Sequence, residues 1–408
     1  MKIKMTKLPN GWEVKKLEEV ATIVTGNTPS KKNLDFYGND CPFFKPSDFD
    51  NTYELTTAGD NLSLLGFKNA RQLPPKTILV VCIGSLGKVG LTRVQGSCNQ
   101  QINAIIPNDN LLSEYVYYFC ISPSFQKTMF LQAPKTTLPI LNKKEFSKLT
   151  ITFPSIEEQR KIVKILDEKF ASIYESIRLA KDDLLSLDEL WQSILNNSFN
   201  PLKSKLDNDT YTLPPTWKWE KLGDICEKTK NANLKDFNDD ISYIDISSID
   251  NKNFMILDCK KINSTQAPSR AKRQVKFGDI LYATTRPNLK NIAMVNQEYY
   301  NPIASTGFCI IRAKKDVKKY IFYFLLSDYV TDFVSRFIKG AQYPAVSDKD
   351  IFNIQIPLPP LKEQERIAKE LESKAKTIKE LKELYTKRLK DYEELKESLL
   401  DLAFKGGL

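Results

Sequence analysis

One feature limits what this chain can fold into more than any other: it repeats itself at a fixed distance. Leu8-Pro9-Asn10-Gly11-Trp12, followed by Leu17 and Val20, returns as Leu213-Pro214-Pro215-Thr216-Trp217, followed by Leu222 and Ile225, at an offset of 205 residues. Tyr115-Val116-Tyr117-Tyr118-Phe119 returns as Tyr320-Ile321-Phe322-Tyr323-Phe324 at the same offset. So do Phe153-Pro154-Ser155-Ile156-Glu157-Glu158-Gln159, as Leu358-Pro359-Pro360-Leu361-Lys362-Glu363-Gln364, and Ser193-Ile194-Leu195, as Ser398-Leu399-Leu400. Between these blocks the register slips to 202, where Ala70-Arg71-Gln72-Leu73 aligns with Lys272-Arg273-Gln274-Val275. Chance does not hold one offset across four separated blocks, so the chain is a tandem duplication.

Each half reads as a globular body followed by a helix. Short β-rich runs (Thr77–Ile83, Asn103–Ile106, Gly278–Ala283, Phe308–Ile311) alternate with Gly, Pro and Asn punctuation and with helical stretches at Glu114–Cys120 and Lys319–Ser327, an α+β mixture. From Ile156 the apolar residues fall seven apart, at Val163, Phe170, Ile177, Leu184 and Trp191. A second row runs Leu166, Ile173, Ala180, Leu187 and Ile194. These are the a and d rows of a coiled-coil seam, with Ser155 and Glu158 as a capping box at its start. The second helix keeps one row (Leu371, Ile378, Tyr385, Tyr392, Leu399), but Lys382 and Lys396 break the other beside Leu381 and Leu395. Its stripe is expected to drift, and Gly406-Gly407 mark its end. The expected boundaries are a globular body over 1–155, a spacer helix over 156–200, a second body over 201–360 and a second helix over 361–408. Two seams packed on each other must run antiparallel, which gives a tandem α+β pair with an approximate two-fold axis.

Composition removes whole classes of chemistry. There is no histidine, which excludes Ser-His-Asp and Cys-His nucleophiles, zinc-protease helices and any histidine base. Of the net charge of +10, each globular segment carries +6 and the helices carry −3 and +1, so the positive excess sits in the two bodies. Two basic bodies suit a polyanion read as two separated half-sites. Seven cysteines without a CxxC pair, and no long apolar run, fit a reducing cytoplasm without structural zinc and without a membrane.

The remaining motifs are mostly negative. Gly84-Ser85-Leu86-Gly87-Lys88-Val89-Gly90 has the wrong spacing for a phosphate-binding loop and reads as a turn presenting Lys88. Its rough counterpart, Thr285-Arg286-Pro287-Asn288-Leu289-Lys290-Asn291, replaces the glycines with Arg286 and Lys290. The cluster Arg270, Lys272, Arg273, Lys276 suits phosphate contact and a solvated loop equally. The Asn/Asp-Pro-Pro-aromatic turn of amino-methyltransferases, a Walker A loop and a nuclease carboxylate cluster do not occur, so the chain is expected to be non-catalytic.

At these residues the sequence resembles a known family. Leu-Pro-x-x-Trp at the head of each half, the turn at 84–90, Pro357-Leu358-Pro359-Pro360-Leu361-Lys362-Glu363-Gln364-Glu365-Arg366-Ile367 and the ending Ser398–Gly406 are similar to the specificity subunits of type I restriction–modification systems. The resemblance spans essentially the whole chain. It implies two target-recognition domains that each read one half of a bipartite double-stranded DNA target. It also implies two methyltransferase subunits that modify adenine N6 with S-adenosylmethionine, and ATP- and Mg-dependent restriction subunits, so that those cofactors belong to partners. The helix starts, Glu158, Gln159, Glu363 and Gln364, are expected to help dock the methyltransferases.

The expected DNA contacts in the first domain are Asn27, Ser30, Lys31, Lys32, Lys45, Ser85, Lys88, Asn99, Gln100 and Gln101. In the second they are Lys230, Asn231, Arg270, Arg273, Arg286, Asn288, Lys290, Ser305, Thr306 and Gln342. Asn, Gln and Arg read base edges, while Lys holds phosphate. Two other readings stay open on the sequence: a free-standing DNA-binding regulator and a coiled-coil protein scaffold.

Overall fold

The computed structural model describes residues 9–49, 53–133, 139–199, 213–237, 239–314, 317–339 and 344–408. They fall into two units, Met1–Ala180 with Lys387–Leu408, and Lys181–Thr386. Each unit therefore combines one globular body with part of both long helices, Ile156–Ser198 and Leu361–Ala403.

The repeated blocks have matching structural jobs. Pro9–Trp12 and Pro214–Trp217 are turns in which the Trp N–H donates to the proline carbonyl, at 3.2 and 2.8 Å. The turns feed strands Glu13–Lys16 and Lys218–Lys221, which pair antiparallel with Thr150–Phe153 and Gln355–Leu358. Each pairing joins the two ends of a globular body just before its long helix begins. The aromatic block forms the buried helices Ser113–Ile121 and Lys318–Leu325. Tyr115 and Tyr320 donate their hydroxyls to the carbonyls of Thr152 and Pro357, pinning each helix to the closing strand.

In the first unit a five-stranded sheet runs in the order Ala21–Thr25, Ile102–Pro107, Ile78–Val81, Val89–Thr92, Glu54–Leu55, beside a three-stranded sheet. Its centre is Ile78-Leu79-Val80-Val81, a run with no polar alternation because both faces are covered. Ile78 and Val80 pack with the aromatic helix, while Leu79 and Val81 pack with Phe44, Phe49 and Leu55. Ile280–Ala283 repeats this in the second unit, with Ile280 and Tyr282 on one side and Leu281 and Ala283 on the other.

The long helices complete both cores. The first unit's aromatic helix is capped by Phe404, edge-on to Tyr115 and Phe119 with centroids 5.3 and 5.1 Å away. Phe199 does the same in the second unit, 5.1 Å from Tyr320 and 5.4 Å from Phe324. Phe199 and Phe404 are again 205 apart, so each body is closed by the last turn of the helix that follows the other body in sequence. Within each unit this places the start of one helix beside the end of the other, and the pair is antiparallel.

The expected heptad rows of the first helix are its buried face: Val163, Leu166, Phe170, Ile173, Ile177, Ala180, Leu187 and Trp191 are all buried. The expected drift of the second helix does not occur. Leu381 and Leu395 face outward, and Lys382 and Lys396 stay half-buried in the seam. A lysine can hold that position because its stem lies along apolar surface while its ammonium reaches out. Lys382 pairs with Asp188; Lys396 pairs with Glu393 at 2.9 Å and lies 4.9 Å from the Tyr174 ring centroid. At the start of the first helix, Ser155 accepts from the Glu158 N–H at 3.4 Å, which is one half of the expected capping box.

Burial of thiols ties stability to alkaline pH. Cys82, Cys98 and Cys226 are buried, and desolvation pushes each up to about 12 from an ordinary value of 9.0. The unfolded chain releases these protons near the ordinary value, whereas the folded chain holds them. Their contribution is therefore intact below about pH 9 and declines between about 9 and 12, by about 1.4 kcal/mol per thiol per pH unit. Urea midpoints are expected to fall steeply from pH 9 to 10.5, and less steeply in a Cys82→Ala/Cys98→Ala variant. A pH-independent midpoint, or equal slopes in the two proteins, would contradict this.

Candidate nucleic-acid interface

Antiparallel register brings three loops of the first unit to one end of its large sheet. Thr25 pairs with Asn103 and Val81 with Ile102, so loops 26–33, 82–88 and 99–101 leave the sheet together. Gly26 N–H donates to Ile102 O at 3.0 Å and Cys82 N–H to Gln101 O at 2.7 Å. Gly26 must be glycine, since a Cβ there would stand 2.2 Å from the carbonyls of both Cys98 and Asn99. Thr28 Oγ1 donates to Gln100 Oε1 at 2.6 Å, and Tyr37 OH to Pro29 O at 2.8 Å, which fixes the first loop. Asn99 N–H donates to Phe44 O at 3.1 Å and brings Lys45 to the same end.

The second unit builds an equivalent end. Ala283 pairs with Phe308 and Tyr282 with Ile292, so residues 284–291 and 305–307 lie together. Thr306 N–H donates to Arg270 O at 2.8 Å, and Asn231 bridges to Arg273. The turn at 84–87 has left-handed backbone at Gly84 and Gly87, with φ of 81° and 93°. Its counterpart reaches the left-handed region at Arg286 and Lys290, φ 48° and 49°. Gly84 N–H donates to Pro139 O and Arg286 N–H to Pro344 O, at 3.3 and 2.8 Å, so the two turns hang from matching carbonyls. Arg286 and Lys290 therefore hold bulky side chains in a backbone conformation that favours glycine.

The structure sorts the expected DNA contacts into two groups. Ser30, Lys31, Lys32, Ser85 and Gln100 are exposed at the first end, and Lys230, Asn231, Arg270, Arg286, Asn288 and Thr306 at the second. Lys31, Lys32, Lys230, Arg270 and Arg286 have no ion-pair partner among the described residues. The other group faces inward, which corrects the expectation for those side chains. Asn99 is buried, donating to Gln101 Oε1 at 2.9 Å, and Gln101 Nε2 donates to Ile83 O at 3.4 Å. Ser305 is buried and accepts from Gly307 N–H at 3.3 Å. Asn27 is a strut, accepting from Arg71 N–H at 2.7 Å and donating to Asn69 O at 3.3 Å.

Three cations are also engaged: Lys45 by Asp60, Lys290 by Asp328 at 3.0 Å and Arg273 by Asp348 at 2.7 Å. Lys88 is half-buried with its ammonium 3.4 Å from Pro46 O. Sequence reasoning marks polar residues near strand ends without seeing which loops carry their own counter-charges. Gln342 lies outside the described residues. Arg71, not among the expected contacts, is exposed at the first end with its guanidinium on Thr25 O; the 202-residue alignment with Arg273 was the available signal.

The helix starts are corrected too. Gln159 is fully buried: its Nε2 donates to Asn110 O and Pro154 O at 2.9 and 3.0 Å, and its Oε1 accepts from Leu112 N–H at 2.9 Å. Gln364 is buried as well and donates to Pro359 O at 2.6 Å. These glutamines staple each helix to its own body and present nothing outward. Glu158 is half-exposed beside Lys161, while Glu363 accepts from the Trp217 indole at 3.2 Å. Outward helical positions instead carry leucines: Leu179, Leu395 and Leu402 in the first unit, Leu185, Leu190, Leu381 and Leu384 in the second. Among the described residues no cluster of acidic or sulfur ligands could hold a metal ion, and no helix is long and apolar enough to cross a membrane.

Comparison with known proteins identifies the family. The family model for the type I restriction modification DNA specificity domain matches twice, over residues 9–180 and 214–388. The specificity subunit of type I restriction enzyme HindI from Haemophilus influenzae is 38% identical over 181 residues, which is 43% of this chain and 39% of that protein's length. The MjaIX specificity subunit of Methanocaldococcus jannaschii is 26% identical over 370 residues, 87% of this chain and 84% of that one. A chain solved in work on complex assembly and conformational transition of the type I R-M system has the same fold, with a TM-score of 0.79 and 21% identity over 99% of this chain and all of that one. With both globular bodies matched, the chain belongs to the type I restriction modification DNA specificity family and is a two-domain specificity subunit.

Proposed function

We infer that this chain is the non-catalytic DNA-reading member of a restriction–modification assembly, with one half of a bipartite target read by each unit. The observation that carries this reading is the paired sheet end. Each globular body gathers unpaired cations beside Asn, Gln, Ser or Thr side chains at the equivalent loops. Lysines there hold phosphate, and Arg286, Asn231, Asn288 and Gln100 reach base edges. Methyl transfer to adenine N6 with S-adenosylmethionine, and cleavage driven by ATP and Mg, belong to two methyltransferase subunits and to restriction subunits. The exposed leucines of the helices form the docking positions for the methyltransferases, and the helix pair sets the spacing of the half-sites.

Purified alone, the chain is expected to transfer no labelled methyl group to DNA; with its methyltransferase it should form a complex that methylates a split motif. Burying a leucine is worth about 1.5–3 kcal/mol, so Leu384→Asp and Leu395→Asp should each weaken that association at least tenfold. Methyl transfer by the chain alone would refute the reading. Binding to a split DNA site without any methyltransferase association would favour a free-standing regulator, and association without DNA binding a scaffold.

A further inference from the structure

The interface of the first unit continues into an apolar knob. Leu34, in the 3-10 turn Leu34–Phe36, is 79% exposed, and Leu64 and Leu65, which open the helix Leu64–Asn69, are 63% and 50% exposed. The two elements are pressed together. Ser63 N–H donates to Phe36 O at 3.1 Å, and a Cβ on Gly66 would stand 1.9 Å from that same oxygen. The knob adjoins the loops already described: Lys31 and Lys32 precede the turn, and Asn69 at the helix end holds the Asn27 amide at 3.3 Å. Lys31, Lys32, Lys68 and Arg71 flank its two elements in sequence, against two acids, Asp35 and Asp40, and Asp40 already accepts from Leu64 N–H at 3.0 Å. The setting is net positive.

The second unit has the same scaffold without the knob. Asn33 and Asn233 cap matching 3-10 turns, accepting from Asp35 N–H and Lys235 N–H at 3.1 and 3.3 Å. Ser63 and Ser264 both send their hydroxyls to a carbonyl of the turn, Asp35 O and Phe237 O. Leu234, however, is partly buried against the cluster of Ile241, Tyr243, Ala271 and Ile303, and the positions of Leu64 and Leu65 are taken by Thr265 and Gln266. The fold therefore does not need apolar side chains here. Within a cationic DNA-facing surface, the apolar group on offer at a base edge is the thymine 5-methyl in the major groove.

We propose that Leu34, Leu64 and Leu65 read thymine methyl groups in the half-site of the first unit. This rests on the DNA-reading assignment above and adds the chemistry of one half-site. The test uses the complete complex of the full chain with its methyltransferase subunits, and a duplex bearing the motif it methylates in cells. Uracil replaces thymine in one half-site at a time, which removes only the methyl group. Uracil in the first half-site is expected to weaken binding about fourfold per contacted methyl, and uracil in the second half-site is expected to have no effect through these leucines. A Leu34→Ser/Leu64→Thr/Leu65→Gln variant, carrying the second unit's residues at two positions, should assemble normally and bind thymine and uracil duplexes equally. Equal binding of both duplexes by the wild-type complex overturns the proposal, as does a first half-site with no A·T pair beyond the methylated one. A variant that keeps uracil sensitivity but sheds its methyltransferases also overturns it, and assigns the knob to a protein partner. A wild-type complex without motif-specific binding would instead remove the DNA-reading assignment itself.

Discussion

Exchanging residues 201–360 for the matching segment of another specificity subunit is expected to change one half of the methylated motif and leave the other untouched. Every exposed candidate of the second unit, from Lys230 to Thr306, lies inside that segment, and every candidate of the first unit lies outside it. The graft must respect two joints. Tyr320 and Phe324 receive Phe199 from the first long helix, and Trp217 donates to Glu363 on the second. A donor domain with smaller residues at 320 and 324 would leave a cavity, and loss of an aromatic contact in a core costs about 3–5 kcal/mol. With those aromatics retained, the hybrid should fold, assemble and methylate a motif with one new half. Long-read methylation sequencing of cells expressing the hybrid and its methyltransferase reads both halves at once. A motif altered in both halves would show that the domains do not read independently.

The parts of this molecule that were legible in the sequence share one property: they are fixed by contacts that recur in both repeats. The 205-residue offset marks the Trp turns, the hydroxyl-anchored aromatic helices and the long helices because each is a core contact made twice. The heptad rows of the first helix were equally plain. The second helix was misread because a lysine in an apolar row looks like a break. Lys382 and Lys396 stay in phase because their stems lie along apolar surface while their ammonium groups emerge beside Asp188 and the Tyr174 ring on the other helix, and no linear pattern shows those two partners. Gln159 and Gln364 failed for the converse reason. A polar residue at a helix start reads as surface until its hydrogen bonds to Asn110, Leu112 and Pro359 are seen. The candidate contacts lay between these extremes, since the loops named gather at one end of each sheet but several side chains within them face inward. Asn99, Ser305 and Asn27 hold the loops in shape, and the same amide chemistry that suits base edges suits backbone groups.

Inserting one heptad in each long helix is expected to lengthen the spacer of the DNA target without altering either half-site. Seven residues preserve the a and d phase and add about 10 Å at ~1.5 Å per residue. Duplex DNA rises ~3.4 Å per base pair, so a matched insertion should add up to about three base pairs, fewer where the helices tilt from the DNA axis. The sites follow from where the chain passes between units, at Ala180–Lys181 in the first helix and Thr386–Lys387 in the second. An insertion there leaves the Phe404 joint of the first unit and the Phe199 joint of the second unchanged. The half-site bases should persist, because the loops at both sheet ends are untouched. An insertion in one helix alone has a different outcome: its heptads then lack seam partners and the Phe199 and Phe404 joints cannot both close, so the protein should be destabilised. The measurement is again the methylated motif in cells expressing the double-insertion variant with its methyltransferase, alongside a thermal unfolding curve that establishes its fold. A folded double-insertion variant that still methylates the original spacing would show that the helices do not set the distance between half-sites.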